Sequence, residues 1–114
     1  MSPTLTNLTW VMPAEGRDVA MIVEIQVLPA PAGTAEDPHA NVEAAIAVIA
    51  QSGLRYEVGP LGTSVEGQPQ EIWPLLRAVH EATFPAGSQR TVTVIKVAEG
   101  GQLSMDDLTS RFRP

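Results

Sequence analysis

Apolar and polar residues alternate with a period of two in three stretches of this chain and recur at helical spacing in two others. From Met21 to Leu28, Val23, Ile25 and Val27 fall on one side of an extended segment, and Ile22, Glu24, Gln26 and Leu28 on the other. This predicts a strand with one dry and one mixed face, and Pro29 and Pro31 are expected to stop its ladder. Arg55 to Gly67 alternates on both sides of Gly59-Pro60, which predicts a β-hairpin turning there. Arg90 to Val97 alternates once more, with Thr91, Thr93, Ile95 and Val97 opposite Arg90, Val92, Val94 and Lys96.

The helical stretches lie between these strands. Val42, Ala45, Ile46 and Ile49 recur at i, i+3, i+4 and i+7 after Asp37-Pro38, whose carboxylate and proline suit a helix start; Gly53 suits its end. His39 falls in the first turn and is expected to be exposed. Pro69 opens a second helix through Ala82 with Ile72, Leu75, Leu76 and Val79 as its buried stripe. Pro74 lies inside it, which predicts a kink or an irregular first turn, and Pro85-Ala86-Gly87 ends the element. Ser104-Met105-Asp106-Asp107 resembles a capping box opening a short terminal helix through Phe112, with a packing role.

The order strand, helix, strand, strand, helix, strand implies an α+β fold. Two split β-α-β units give a ferredoxin-like βαββαβ arrangement, an antiparallel four-stranded sheet with two helices on one face, plus the short C-terminal helix. Its other face would mix Glu24, Gln26, Arg55, Glu57, Ser64, Glu66 and Lys96 with Ile22, Val92 and Val94. A surface that apolar predicts self-association to a dimer or tetramer. Residues 1–20 carry no sustained period and read as an N-terminal extension, with Trp10 and Val11 able to pin it to the body; residues 21–114 form the domain.

Composition narrows the function. At 114 residues with 44% hydrophobic content, the chain supports one modest core. A net charge of −6 with seven Lys and Arg gives no basic patch for a phosphate backbone, so nucleic acid is not an expected partner. Cysteine is absent, which removes disulfides, thiolate metal sites and cysteine nucleophiles and fits a reducing cytoplasm. No apolar run approaches the roughly 20 residues that a bilayer needs, and no signal peptide opens the chain, so no membrane partner is expected.

Candidate chemistry is sparse. No Ser-His-Asp set has motif context, His39 and His80 lack metal-ligand spacing, and Gly59-Pro60-Leu61-Gly62-Thr63 has no phosphate-loop Lys; the chain is expected not to be an enzyme and to hold no metal or cofactor. Glu24, Glu57 and Glu66 read either as a negative surface for an organic cation or as residues paired with Arg55, Lys96 or Arg90. Trp73, Leu76 and His80 share a helical edge, with Phe84 beyond, and read either as an aromatic wall for a flat heterocycle or as core rim. Thr63, Ser64, Thr91 and Thr93 add hydroxyls.

Met21-Ile22-Val23-Glu24-Ile25-Gln26-Val27-Leu28-Pro29, the hairpin with Pro60, Leu61, Gly62, Thr63, Glu66 and Gly67, Val79-His80-Glu81 and the strand from Arg90 to Val97 together resemble the thiamine-binding protein family. The resemblance covers Met21 to about Phe112. It implies a homo-oligomer, commonly a tetramer, that binds thiamine or a hydroxymethylpyrimidine-like compound without turnover, as a carrier, buffer or sensor. Family members usually continue the last strand into an acidic and basic run, where this chain has Ala98-Glu99-Gly100-Gly101. In such a ligand the thiazolium cation would sit near Glu24, Glu57 or Glu66. The aminopyrimidine edge would meet Gln26, Thr63 or Ser64, and its face Trp73, with His80 and Thr93 beside it. The alternative is an oligomeric regulatory module of the same fold that binds an amino acid or a protein partner.

Overall fold

The computed structural model describes residues 20–113. The N-terminal extension, with Trp10 and Val11, lies outside the described residues apart from Ala20. β1 (Met21–Ala30), α1 (Ala40–Gln51), β2 (Arg55–Val58), β3 (Thr63–Gly67), α2 (Pro69–Glu81), the one-turn α3 (Thr83–Ala86), β4 (Arg90–Glu99) and α4 (Met105–Thr109) follow in order, and a 3-10 turn at Ser110–Phe112 closes the chain. The sheet runs β2-β3-β1-β4 with every pair antiparallel, the ferredoxin-like order.

Alternation sorts the strands as expected. Met21, Val23, Ile25 and Val65 are buried under Ala45 and Ile49 of α1 and Ile72, Leu75, Leu76 and Val79 of α2, forming one core between sheet and helices. Ile22, Glu24 and Gln26 point the other way, to a second sheet face that no long helix covers among the described residues.

Three of the expected boundaries move. β1 runs through Pro29 to Ala30, paired to Thr91 and Arg90. Its ladder with β3 ends at Ile25, so Pro29 has a strand neighbour on one side alone and its missing N–H is tolerated there. β4 likewise extends past Val97 to Glu99. At α1 the helix begins at Ala40, not at Pro38, and the Asp37 carboxylate does not cap it. The Asp37 carbonyl instead accepts from Thr34 and Ala40 at 2.9 and 3.1 Å, because the loop folds back on itself before the helix starts. His39 is exposed and Gly53 takes the left-handed conformation at φ 81°, both as expected.

α2 runs unbroken through Pro74. Its start is well held. The backbone N–H of Gln68 donates to Glu71 Oε1 at 2.9 Å within a capping box, and Pro69 occupies the first turn. Ser104 accepts from the Asp107 N–H at 3.3 Å at the start of α4, and Met105 is buried, matching the packing role.

Candidate functional site

Four apolar residues at helical spacing, Val42, Ala45, Ile46 and Ile49, border a gap between α1 and the sheet, although Ala45 and Ile49 also belong to the packed core. The gap is a cavity of about 150 Å³. Its second wall is the hairpin turn, Gly59 to Gly62, and its floor is Ile25, Gln26 and Val27 of β1; Thr63 and Val79 close it. Gly59 N–H donates to the Gly62 carbonyl at 2.8 Å, which fixes the turn. Gly62 lets that turn lie against β1, since a Cβ there would come within 3.1 Å of Glu24 Cγ and 3.3 Å of the Ile25 carbonyl.

Among the described residues no charged side chain lines this cavity. Thr63, 4% exposed, supplies the single hydroxyl of the lining. By alternation the Gln26 side chain belongs to the opposite sheet face, so its backbone is what borders the space. On that side of β1 the β3 ladder stops at Ile25, and no described strand meets Gln26 or Val27. The arrangement is an apolar slot with one hydroxyl and a stretch of strand backbone at its rim, suited to a small, flat, uncharged ring.

Of the eight residues singled out in the sequence, the cavity takes in Gln26 and Thr63. The other six lie outside its lining. Ser64 pairs in register with Glu24 and Glu57 on the face opposite the helices. Glu66 is on that face too, and its carboxylate accepts from the Met105 backbone N–H at 2.7 Å, holding the start of α4. Glu57 is bonded by Arg55 at 3.2 Å and by Arg113, while Arg55 reaches Asp106 at 2.6 Å. Glu24 pairs with Lys96 at 3.6 Å. The C-terminal segment is therefore strapped over the β2 side of this face, and all three carboxylates have partners. Trp73 is half exposed on α2. His80 Nδ1 lies 2.5 Å from Thr93 Oγ1 and its ring meets Phe84 edge-on at 5.7 Å, so this pair ties α2 to β4. Thr91 joins Thr83 and Ser88 in a neighbouring hydroxyl cluster at 2.6 and 2.8 Å.

The strap has a defined pH response. The Arg113 hydrogen bond, helped by the Arg113 charge and by Arg55, holds the Glu57 carboxyl below its usual range against desolvation, which opposes them and is second in size to that hydrogen bond. A depressed carboxylate contributes stability above the ordinary glutamate value of about 4.3 and loses it as pH falls through the lower folded value. Hydrogen exchange should show amides of residues 105–113 losing protection below about pH 4 before those of β1 do; simultaneous loss would show that the strap is not held by these charges.

The sequence did not mark the cavity's apolar wall as a site. A stripe that fills a core and one that borders a small gap have the same spacing, and Leu61 and Val79 carried no chemical signal.

Fold and cavity together define an α+β domain of ferredoxin-like type with a slot sized for a small ring. Residues 23–111 match the family model of thiamine-binding proteins, and the chain belongs to that family. A UPF0045 protein of Clostridium perfringens is 27% identical over 94 residues, covering 80% of this chain and 95% of that one. Among solved structures, a domain of unknown function DUF77 from Bacillus cereus superposes with a TM-score of 0.74 at 27% identity, covering 82% of this chain and 90% of the other. A proposed thiamine biosynthesis/salvage protein of Thermotoga maritima gives 0.72 at 27% identity, covering 82% and 99%. Among the described residues no helix is long and apolar enough to cross a membrane, and no group of three or more His, Asp or Glu side chains is placed to hold a metal ion.

Proposed function

We propose that this protein binds thiamine or a related pyrimidine compound without transforming it, enclosing the pyrimidine ring in the slot between α1 and the hairpin turn. The observation that carries this reading is the lining: apolar walls, the Thr63 hydroxyl and the Gln26-Val27 backbone, with no charged side chain among the described residues. A neutral aminopyrimidine offers two flat apolar faces and an edge of donors and acceptors, which is what walls and rim of this kind accept. At about 150 Å³ the slot is smaller than the roughly 300 Å³ at which sites for drug-sized ligands begin, so it encloses one ring and leaves a thiazolium outside. An amino acid ligand fits less well, because its two charges would find no counter-charge in the lining. The protein acts as a cytoplasmic carrier, buffer or sensor, and self-associates through sheet surface where Leu28, Val92 and Val94 are about half exposed.

Calorimetry with hydroxymethylpyrimidine, thiamine and thiamine pyrophosphate tests the reading; absence of heat with all three removes it. Thr63→Val keeps the shape and deletes the hydroxyl. It should weaken pyrimidine binding about fivefold to tenfold, the effect of losing about 1 kcal/mol of hydrogen bond. Unchanged affinity would take Thr63 out of the contact.

A further inference from the structure

Part of the sheet's core face is left without cover. Ile95 and Val97 of β4 lie opposite Ile25 and Val23 of β1, which are buried in the core, so all four side chains are on the side of the helices. Ile95 and Val97 are nevertheless 39% and 45% exposed. Two contacts show how α2 passes them. His80 meets Thr93 and, three residues on, Thr83 meets Thr91, so the helical segment advances as the strand goes back and the two run antiparallel. One and two turns before His80, on the same edge of α2, stand Leu76 and Trp73. Helix and strand rise place Leu76 beside Ile95, and Trp73, 52% exposed, beside Val97. The result is an apolar groove between α2 and β4 that no described element fills. It opens at the end of the sheet from which the N-terminal extension leaves. The Ala20 carbonyl accepts from the Gly100 N–H at 3.4 Å, one residue past β4, and Ala20 and Gln68, the residue before α2, border the same surface depression.

We infer that residues 8–12 of the extension fold back into this groove and pack against Trp73, Ile95 and Val97 of the same chain, as a clasp over the seam between α2 and β4. Composition suits the segment to the groove. The first fourteen residues carry no charged side chain, and Leu8, Trp10 and Met12 would share one side of an extended run that Pro13 ends. Reach decides which apolar surface it meets. The eight steps from Met12 to Ala20 span up to about 26 Å, whereas Val97 and Ile95 lie about 10 and 16 Å back along β4 from Gly100. On the open face the positions nearest Gly100 are Ala98 and Lys96, and large apolar side chains begin only at Val94, about 20 Å back. The groove comes first. Because the segment is tethered beside it, its effective concentration there is high, and a contact of a few side chains is enough to hold it. The extension precedes the residues 23–111 that match the family model, so the clasp is a device of this chain added to the family's fold.

The chain has two tryptophans, Trp10 and Trp73, which report on the clasp from its two sides. The test uses the full chain without ligand, so its outcome is independent of what the slot binds. In Trp73→Phe, Trp10 is the sole tryptophan; its emission should be blue-shifted, and its quenching constant with acrylamide about twofold or more below that of the same chain unfolded in urea. Adding Val97→Glu, at a half-exposed position, should bring quenching up to the unfolded value with an unchanged far-ultraviolet circular dichroism spectrum. The reciprocal pair reads the groove. Trp10→Phe and Trp10→Ser both leave Trp73 alone, and quenching of Trp73 should be about twofold higher with serine, which cannot fill the groove, than with phenylalanine. If Trp10 is quenched as readily in the folded chain as in the unfolded one, or Trp73 is indifferent to residue 10, the clasp is overturned. Shielding of Trp10 that survives Val97→Glu places the segment elsewhere and overturns the groove as its site. Shielding that disappears on hundredfold dilution places the segment on another molecule and overturns a clasp within one chain.

Discussion

Ala45→Leu is expected to lower affinity for hydroxymethylpyrimidine by at least tenfold while leaving the domain folded. Ala45 is 1% exposed on α1 and borders the slot. The three added carbons occupy the space the ring would take, and loss of a well-packed ring from an apolar pocket is worth well over the 1.4 kcal/mol that a tenfold change represents. Leucine is nearly as good a helix former as alanine, and because a gap already exists there, overpacking should cost less than the about 1–3 kcal/mol seen in filled cores. Calorimetry gives the affinity and a urea titration the stability. Undiminished binding would mean that the ligand sits elsewhere.

Ile72→Ala should do the opposite. Ile72 is 0% exposed, packs in the core beneath α2 and lies outside the slot lining. Removing its branched side chain leaves a hole that the close-packed surroundings fill only in part, at an expected cost of about 2–5 kcal/mol. For a domain of this size that corresponds to a fall in Tm of roughly 10 °C or more. Ligand affinity measured well below the new Tm should stay within about twofold. A large affinity loss would show that α2 shapes the slot from a distance, and a fall in stability under 1 kcal/mol would place Ile72 in a site that readily collapses. The two variants together separate binding from folding.

Much of this architecture is legible in the chain because it is periodic. The alternation in Met21 to Leu28 assigns Val23 and Ile25 to the core and Glu24 and Gln26 to the far face, and the pairing of β1 with its neighbours agrees. What is not legible depends on partners distant in sequence. Pro29 reads as a stop, yet whether a proline is tolerated in a strand depends on which neighbour is missing, and that is decided by where β3 ends. Glu57 and Glu66 read either as a surface for a cation or as paired acids, and for Glu66 the choice is made only where the chain returns 39 residues later to place the Met105 N–H against it. The Asp37 carboxylate is a reasonable cap in isolation, but the fold of the loop gives that work to its carbonyl. Thr63 and Gln26 are visible as polar positions in β segments. Nothing local distinguishes the wall formed by Val42, Ala45 and Ile46 from a filled core.

The early end of the β3 ladder, at Ile25, has an evolutionary consequence. Where recognition is carried by main-chain atoms, drift in side chains leaves it untouched. On the proposed reading, homologues could diverge at most positions, keep the contour of the slot and still accept the same ring, so that sequence comparison alone would underestimate how widely such a specificity is shared.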